Sequence, residues 1–496
     1  MLATFLRLSS TSLLFILLTS ISPSTDLSDS LYKTHHTFKE QGLSQRRFKQ
    51  KDILPLLDRR RNNPLYTITK VGESFEGRNI QMVRIGTGPK KILLWTQMHG
   101  DEPTATMASF DIFNFLERHN DGFDAFRKKI LEQTTLYFVP MLNPDGAERY
   151  QRRTAQGIDM NRDAAALQTP EGALLKRLVD EIKPDFGFNL HDQSPRYSVG
   201  RSAEAAAISF LATAYDYPRS INPVRERSMQ LIVAMNRQLQ RYIPGKVGRY
   251  ADDHEPRGFG DNVQKWGTTL VLIESGGLAG DPEKQYLRRL NFMAILSAID
   301  KIADNSLTQE NRNDYYEIPE NGRWLYDLVI RHATVKQGTK SFEADLGINR
   351  NEVSYANASK FFYYSKVEEF GDLHPQFGTQ EIDAKGLTLE KGKLYPKAFK
   401  TIGEVSQLNA LNLLKEGYTY IRLTADNGGR NLGLYYTTAP LHILRNNKSA
   451  PIDSPRLGST ATFLLKKGGV VKYAVVNGFV YDLANFKTKA GNGIVE

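Results

Sequence analysis

The chain has 496 residues, which exceeds what one hydrophobic core usually serves, so two domains are expected. Its 40% hydrophobic and 24% charged residues are ordinary for globular proteins, so the chain should fold, and the absence of cysteine excludes disulfides, thiolate zinc sites, cysteine nucleophiles and a lipid-modified cysteine anchor. The formal net charge of +10 comes mostly from scattered residues without an aromatic-basic RNA motif, so we expect a solvated positive surface and no nucleic-acid partner.

The N-terminal residues 1–24 resemble a secretory signal peptide. A lone Arg7 precedes an apolar stretch over 13–21, and small and polar residues follow. This apolar stretch is well short of the roughly 20 residues that span a bilayer, which argues against an anchor helix. We therefore predict a secreted or periplasmic protein. No later segment is apolar enough to span a membrane, so no stable membrane insertion of the mature chain is expected.

Short apolar runs alternate with helical patterns from about residue 91 to 304. The predicted strands are Lys91–Gln97, Thr135–Leu142, Phe186–Leu190 and Thr269–Glu274. The predicted helices are Thr104–Arg118, Pro170–Ile182, Pro223–Tyr242 and Pro282–Ala303. Strands that alternate with helices indicate an α/β domain with a mainly parallel sheet, which we assign to residues 25–305.

The pattern changes after this region. A polar stretch over 303–323 has almost no aliphatic residues, and its central part, 306–319, is interpreted as a linker. Beyond it, segments such as "TATFLLKKGGVVKYAVVNGFVYDL" (460–483) carry apolar runs broken by Gly-Gly and Asn-Gly, which are hairpin signals. Residues 320–496 are therefore predicted to form a smaller β-rich accessory domain.

Each of the four predicted strands ends at a cluster of polar residues: "HGDE" from His99, "NPDG" from Asn143, "HDQ" from His191 and "ESGG" from Glu274. In an open α/β sheet, ligands bind outside the carboxyl ends of the strands. We therefore expect these four clusters, which are far apart in the sequence, to converge.

Two histidines and one glutamate in these clusters suit a metal ion. His99 and Glu102 lie three residues apart, and His191 is the other histidine placed at a predicted strand end in this domain. Catalytic zinc sites use three protein ligands plus water, and two histidines with one glutamate are a known set. The alternative is that these are ordinary polar residues at strand ends, which the pair His99–Glu102 alone does not exclude.

Further polar residues follow the same strands. Arg152, Asn161 and Arg162 would place donors and positive charge near this face, and the arginine fork suits carboxylates and polarised oxygens. Glu274 ends an apolar strand, where a carboxylate is costly to bury without a role or a partner. Surface arginines and a salt-bridged strand-end glutamate are the alternatives.

The chain resembles the M14 (funnelin) family of zinc carboxypeptidases. The resemblance covers about residues 90–300 and rests on five motifs in order, each at an expected strand end: His99-Gly-Asp-Glu102, Asn143-Pro-Asp-Gly146, Asp159-Met-Asn161-Arg162, Asn189-Leu-His191 and Ile273-Glu274-Ser-Gly. It implies an α/β fold with a mixed, mainly parallel central sheet flanked by helices, in addition to the β-rich C-terminal domain.

The resemblance also implies the chemistry. His99, Glu102 and His191 would bind one Zn²⁺ per chain, and a zinc-activated water would hydrolyse the C-terminal peptide bond. Glu274 would be the general base and later the general acid. Arg152 would polarise the scissile carbonyl. The implied partner is a peptide with a free C-terminus.

Substrate binding follows from the same resemblance. Asn161 and Arg162 would hold the terminal carboxylate, and Tyr250 is the candidate for the tyrosine that closes over the substrate, although a core or rim tyrosine is an equal alternative. Arg152 is preferred over Arg153 because short bacterial members place an arginine nine residues before the asparagine of Asn-Arg.

Three alternatives remain from the sequence. Aspartoacylase- and desuccinylase-like amidohydrolases have a similar site, although "NPDG" and "IESGG" favour the peptidase. An exported enzyme could instead trim peptidoglycan stem peptides, and a non-catalytic binding module is the third possibility. The side-chain pocket lies within 257–267, where Asp261 would favour a basic C-terminal residue and Phe259 or Val263 an apolar one.

Overall fold

A computed structural model describes residues 26–424, 434–445, 448–450, 455–486 and 492–496. The predicted signal peptide, residues 1–24, lies outside these ranges and stays a prediction. Among the helices of the described ranges, none combines the length and the apolar composition that crossing a membrane requires.

The first part of the chain contains nine α-helices within the described residues: α1 (Leu27–Phe38), α2 (Gln50–Asp58), α3 (Thr104–Glu117), α4 (Asp124–Gln133), α5 (Pro144–Arg149), α6 (Pro170–Ile182), α7 (Pro223–Leu239), α8 (Phe259–Lys265) and α9 (Gln285–Ala303). Its strands are β1 (Tyr66–Glu73), β2 (Asn79–Ile85), β3 (Lys90–Thr96), β4 (Thr134–Val139), β5 (Phe186–Asp192), β6 (Ser198–Val199), β7 (Ile208–Leu211), β8 (Val247–Arg249) and β9 (Thr269–Ser275).

The helices begin where the sequence supplies capping groups. Thr169 accepts the N–H of Gly172 ahead of α6, and Asn222 accepts the N–H of Arg225 ahead of α7. A proline occupies the first turn of both helices, where its missing N–H leaves no intrahelical bond unmade. The predicted Pro170–Ile182 helix therefore has the observed bounds.

The central sheet is mixed and has the strand order β1-β2-β4-β3-β5-β9-β7-β8. The four central strands, β4, β3, β5 and β9, are parallel to one another. Strands β1, β2 and the β7–β8 pair add the antiparallel connections. The predicted α/β fold with a mixed, mainly parallel sheet is confirmed. The antiparallel edges were not predicted strand by strand, because their short, half-polar runs carry little periodic signal.

The chain leaves β3 towards β4 on one side and returns to β5 on the other, so the order of the sheet reverses between β3 and β5. A crevice forms at such a reversal, outside the carboxyl ends of the two strands. The polar cluster after β3, which begins at His99, and the polar cluster at the end of β5 therefore lie on either side of this crevice.

Two hydrophobic cores cover the faces of the sheet. Alternate residues such as Leu94 and Phe188 face the larger core, which α1, α3, α4, α7 and α9 cover. Leu93, Trp95 and Leu270 face the second core, together with residues of α6 and α8. A strand buried on both faces is apolar throughout, which is why "KILLW" has no polar alternation.

The segment that was interpreted as a linker is packed against the first domain. It contains two short 3₁₀ helices, Ser306–Gln309 and Arg312–Tyr315, that contact α7. Leu307, Tyr315 and Ile318 are buried in the larger core. Three well-spaced apolar side chains are thus enough to anchor a segment whose average composition is that of a loop.

The second part contains α10 (Ile402–Ser406) and α11 (Ala410–Lys415). Its strands within the described residues are β10 (Asn321–Gly322), β11 (Leu325–Tyr326), β12 (Leu328–Gln337), β13 (Lys340–Tyr355), β14 (Lys360–Gly371), β15 (Phe377–Gly378), β16 (Glu381–Asp383), β17 (Thr388–Glu390), β18 (Lys393–Phe399), β19 (Tyr418–Leu423), β20 (Tyr435–Thr437), β21 (His442–Leu444), β22 (Phe463–Lys467), β23 (Val470–Val476), β24 (Phe479–Asp482) and β25 (Gly493–Val495).

Most of these strands form an eight-stranded sheet, with the path β14-β13-β12-β17-β22-β23-β24 and β16 paired with β12 beside this path, and a five-stranded sheet with the order β18-β19-β21-β25-β20. The predicted hairpins are present: β22 and β23 are joined by Gly468–Gly469, and β23 and β24 by Asn477–Gly478. All four turn residues have positive φ, as two-residue hairpin turns require. The smaller sheet, with its parallel strands and two short helices, was not predicted.

Candidate functional site

The proposed metal ligands meet at the crevice between β3 and β5. His99 and Glu102 lie in the short loop between β3 and α3, and His191 lies on β5. His99 Nδ1 is 2.8 Å from one oxygen of Glu102, and His191 Nδ1 is 2.6 Å from the other. The two Nδ1 atoms are 3.1 Å apart. The three residues are at most 7% exposed.

This donor set fits a metal ion. Two imidazole nitrogens and a carboxylate face one point, with ligand atoms within 4.8 Å of one another. Two neutral imidazoles can place unprotonated nitrogens this close without repulsion only when a proton or a cation lies between them. Nitrogen and carboxylate oxygen are ligands that divalent zinc accepts.

The loop after β3 is held by the loop after β4. Asn143 donates from its backbone N–H to the carbonyl of Gln97 and from its side chain to the carbonyl of Met98, at 2.9 and 3.2 Å. Gly100 lies so close to the second loop that a Cβ there would be 2.0 Å from the carbonyl carbon of Gly146. The loops that carry "HGDE" and "NPDG" thus pack directly against each other.

Asp159 orients the first histidine, a contact that the sequence analysis did not assign. One oxygen of Asp159 is 3.1 Å from His99 Nε2, and the other accepts hydrogen bonds from Arg152 at 3.0 Å. A carboxylate on the outer nitrogen of a ligating histidine fixes the ring and raises its basicity. Burial lowers the pKa of His99, but the carboxylates of Glu102 and Asp159 outweigh burial and raise this pKa to about 9.

The carboxyl group of Glu274 completes the inner part of the site. Glu274 pairs with His191 in the register of β5 and β9, so both side chains leave the same face of the sheet. Its Oε2 atom is buried and has no hydrogen-bond partner among the described residues. Burial, and then the charge of Glu102, raise the pKa of Glu274 well above its usual value. A carboxyl group of this kind is able to accept a proton and return it near neutral pH.

The side chain of Arg152 contacts two of the proposed metal ligands, and the side chain of Arg153 contacts none of them. Nη1 of Arg152 is 3.1 Å from His99 Nδ1 and 3.3 Å from Glu102 Oε1, and 44% of the side chain is exposed. Arg153 instead donates to the backbone carbonyl of Gly157. The Arg152 guanidinium therefore lies beside His99 and Glu102 and remains partly accessible to solvent.

Asn161 and Arg162 lie on the 3₁₀ helix Met160–Arg162, directly after Asp159. Asn161 Oδ1 accepts the N–H of Phe259 at 2.9 Å, which links this helix to α8. Arg162 is 40% exposed, and its Nε atom is 3.0 Å from a carboxylate oxygen of Glu255. The guanidinium is thus accessible at the rim of the site.

Tyr250 follows β8 and stacks edge-on against Tyr197, with ring centroids 5.6 Å apart. Burial, and then the charge of Glu274, raise the pKa of the Tyr250 hydroxyl. The three residues considered for the side-chain pocket are all buried: Phe259 and Val263 pack in the second core. Asp261 accepts the N–H of Glu255.

Comparisons with known proteins agree with this arrangement. Residues 57–186 match the family model described as zinc carboxypeptidase, Peptidase_M14. An uncharacterized protein of Zymomonas mobilis is 30% identical over 125 residues, which are 24% of this chain and 32% of that protein. A probable carboxypeptidase 2 of Trichophyton verrucosum is 26% identical over 115 residues, or 23% and 21% of the two chains. The chain thus spans a third or less of these relatives.

Among solved structures, a metallo-carboxypeptidase from Burkholderia cenocepacia has 18% identity and a TM-score of 0.43, covering 52% of this chain and 70% of its own. A metallo-carboxypeptidase from Pseudomonas aeruginosa has 20% identity and a TM-score of 0.41, covering 52% and 69%. The family-model match includes His99, Glu102 and Arg162, whereas His191 and Glu274 lie beyond it and join the site through the sheet. Over residues 57–186, the chain is therefore similar to the zinc carboxypeptidases that this family model describes.

Proposed function

We propose that the protein is a zinc-dependent metallocarboxypeptidase that hydrolyses the C-terminal bond of peptides. The observation that carries the proposal is the convergence of His99, Glu102 and His191, each within 3.1 Å of another, beside the Oε2 atom of Glu274, which is buried and has no hydrogen-bond partner among the described residues. Convergence of three ligating groups from two separate strands is typical of a catalytic zinc site.

His99, Glu102 and His191 would hold the zinc ion. When bound, zinc supplies a Lewis acid that polarises a carbonyl and lowers the pKa of water to about 7. Asp159 keeps His99 in the tautomer that presents Nδ1 to the ion, because its carboxylate accepts the proton on Nε2.

Glu274 moves the proton. Its buried, unpartnered oxygen is able to accept a proton from the attacking water and then deliver it to the departing amine. Arg152 donates to the oxygen on which negative charge develops, and Asp159 holds the guanidinium in place for this role. Fixed donors of this kind reduce the activation free energy because they need no reorganisation during the reaction.

Asn161 and Arg162 would bind the terminal carboxylate, which makes the last peptide bond the one that meets Glu274. A guanidinium pairs with a carboxylate through two parallel hydrogen bonds, so this contact selects a free C-terminus. Tyr250 would close over the bound residue from the opposite side. The family match supports a peptidase over an amidohydrolase that deacylates amino acids.

A library of short peptides that differ only in the C-terminal residue tests the proposal, assayed with and without a zinc chelator. We expect release of single C-terminal amino acids, loss of this activity with the chelator and its return with zinc. Internal cleavage, or hydrolysis of N-acyl amino acids without peptide cleavage, would contradict the proposal. The same library reports the preference for the C-terminal residue.

A further inference from the structure

Arg162, the cation assigned to the terminal carboxylate, already has a carboxylate partner within the chain. Glu255 Oε2 is 3.0 Å from Arg162 Nε, and the two side chains are 30% and 40% exposed. A substrate carboxylate that approaches Arg162 therefore meets an anion at the same guanidinium.

Glu255 also has a second cationic partner. Arg257 donates from Nε to one oxygen of Glu255 and from Nη2 to the other, both at 3.0 Å, and its backbone N–H donates to Glu255 at 3.1 Å. The hydrogen bonds to Arg257, and then the charge of Arg162, hold the pKa of Glu255 below its usual value, so the carboxylate is ionised at neutral pH. Glu255 can consequently leave Arg162 without losing all of its pairing.

Backbone contacts set this arrangement. The N–H of Ala164, two residues after Arg162, donates to the carbonyl of Arg257 at 3.0 Å. Asp261 accepts the N–H of Glu255 at 2.9 Å and so closes the turn that carries it. The loop with Glu255 is therefore tied to the loop with Arg162, and the ion pair does not depend on a free side chain alone.

We propose that Glu255 is a specificity-determining residue that competes with the substrate carboxylate for Arg162, and that Arg257 receives Glu255 when the substrate binds. The inference rests on the proposed carboxypeptidase function. A C-terminal carboxylate must displace Glu255 to form the two-bond contact with Arg162, whereas an amide does not displace it, so Glu255 limits the preference for a free C-terminus over an amidated one.

Two substitutions then have opposite effects. Glu255→Gln removes the competing charge and is expected to tighten binding of a free-carboxylate peptide about threefold, the size of an exposed ion pair. Arg257→Gln leaves Arg162 as the remaining cation for Glu255 and is expected to weaken binding about twofold. The double variant should bind like Glu255→Gln, because Arg257 acts only through Glu255.

The measurement is calorimetric titration of zinc-loaded protein that carries Glu274→Gln, so that the peptide is not consumed. The probes are an N-blocked dipeptide with a free carboxylate and the same dipeptide as its C-terminal amide. The matched control is Asp253→Asn, which removes an exposed carboxylate of the same loop that pairs with Arg219. The effects of Glu255 and Arg257 should shrink at high salt, because exposed charges are screened.

Affinity for the free-carboxylate peptide that is unchanged or weaker in Glu255→Gln would overturn the inference, as would an Arg257→Gln effect that persists in the double variant. Arg162→Ala distinguishes a failure of the proposed function from a failure of the inference about Glu255. If Arg162→Ala abolishes the difference between acid and amide peptides while Glu255→Gln has no effect, the function stands and the inference fails. If Arg162→Ala has no effect, both fail.

Discussion

At the scale of single residues, the site contains polar side chains whose burial is costly unless they have hydrogen-bond partners. His99 is paired on both ring nitrogens, by Glu102 and by Asp159, whereas Glu274 has a buried oxygen to which no other described residue hydrogen-bonds. An unpartnered buried carboxylate is rare unless the protein uses it. The roles of Asp159 and Glu274 are therefore separable by substitution.

Replacing Glu274 tests its role in proton transfer. Glu274→Gln keeps the size and the burial of the side chain but removes its basicity, so zinc should stay bound while kcat falls roughly a hundred- to ten-thousand-fold. Zinc content by elemental analysis and turnover of a free-carboxylate peptide measure the two effects. Near-normal turnover in a zinc-replete variant would remove Glu274 from the mechanism.

Replacing Asp159 tests the orientation of His99. Asp159→Asn retains the shape but removes the charge that holds His99 and Arg152, and zinc affinity should fall about 10–100-fold. Competition with a chromophoric chelator gives this affinity. Asp180→Asn, on the exposed surface of α6, is the control and should leave zinc affinity unchanged. An unaltered affinity in Asp159→Asn would show that the backbone alone positions His99.

At the scale of elements, the site depends on where loops touch rather than on the strands alone. The strand β3 aims the first two ligands, but the loop after β4 holds them through Asn143. The sequence of Asn143-Pro-Asp-Gly146 carries only a local turn signal, and its contact with Met98 is visible only in three dimensions. The reason is that a turn motif specifies local dihedral angles and does not specify which loop packs against it.

Gly100 is the point of closest approach between these loops. Gly100→Ala would place a Cβ about 2.0 Å from backbone atoms of Gly146, so the loops must separate, at a cost of about 1–3 kcal/mol or more in the free energy of unfolding. Chemical denaturation measures the stability, and the zinc competition assay should report weaker binding. Gly403→Ala, where a Cβ meets nothing closer than 3.7 Å, is the matched control. Equal behaviour of the two variants would contradict the close packing.

At the scale of the whole molecule, the second part of the chain is joined to the rim of the site. Arg196, five residues after His191, donates to Asp327 and to Asn351 at 3.0 and 2.8 Å. Arg46 and Arg47 stack near Phe361 of β14 and both pair with Glu352 of β13. The β13–β14 hairpin therefore contacts the N-terminal segment and a loop of the proposed catalytic site.

Glu352 is the shared partner of two buried cations in this contact. Glu352→Gln leaves the guanidinium groups of Arg46 and Arg47 without their carboxylate, and the free energy of unfolding should fall by about 1–3 kcal/mol. Denaturant titration of the full chain measures the change. Glu343→Gln, an exposed glutamate of the same strand, should have no effect. Stability that is equal in both variants would show that the hairpin contact contributes nothing.

The sequence by itself determined the α/β fold, the four central strands within about three residues, the two hairpins of 460–483 and the ligand candidates at the strand ends. These features are encoded locally, in the period of apolar residues, in capping groups and in turns that need positive φ. The tertiary structure alone showed which groups Arg152 and Arg153 contact, that Asp159 holds His99, that Glu255 pairs with Arg162, and that 306–319 packs into the larger core. Each of these is a contact between residues distant in sequence or a choice between neighbouring side chains, and periodicity carries no information on which partners folding brings together.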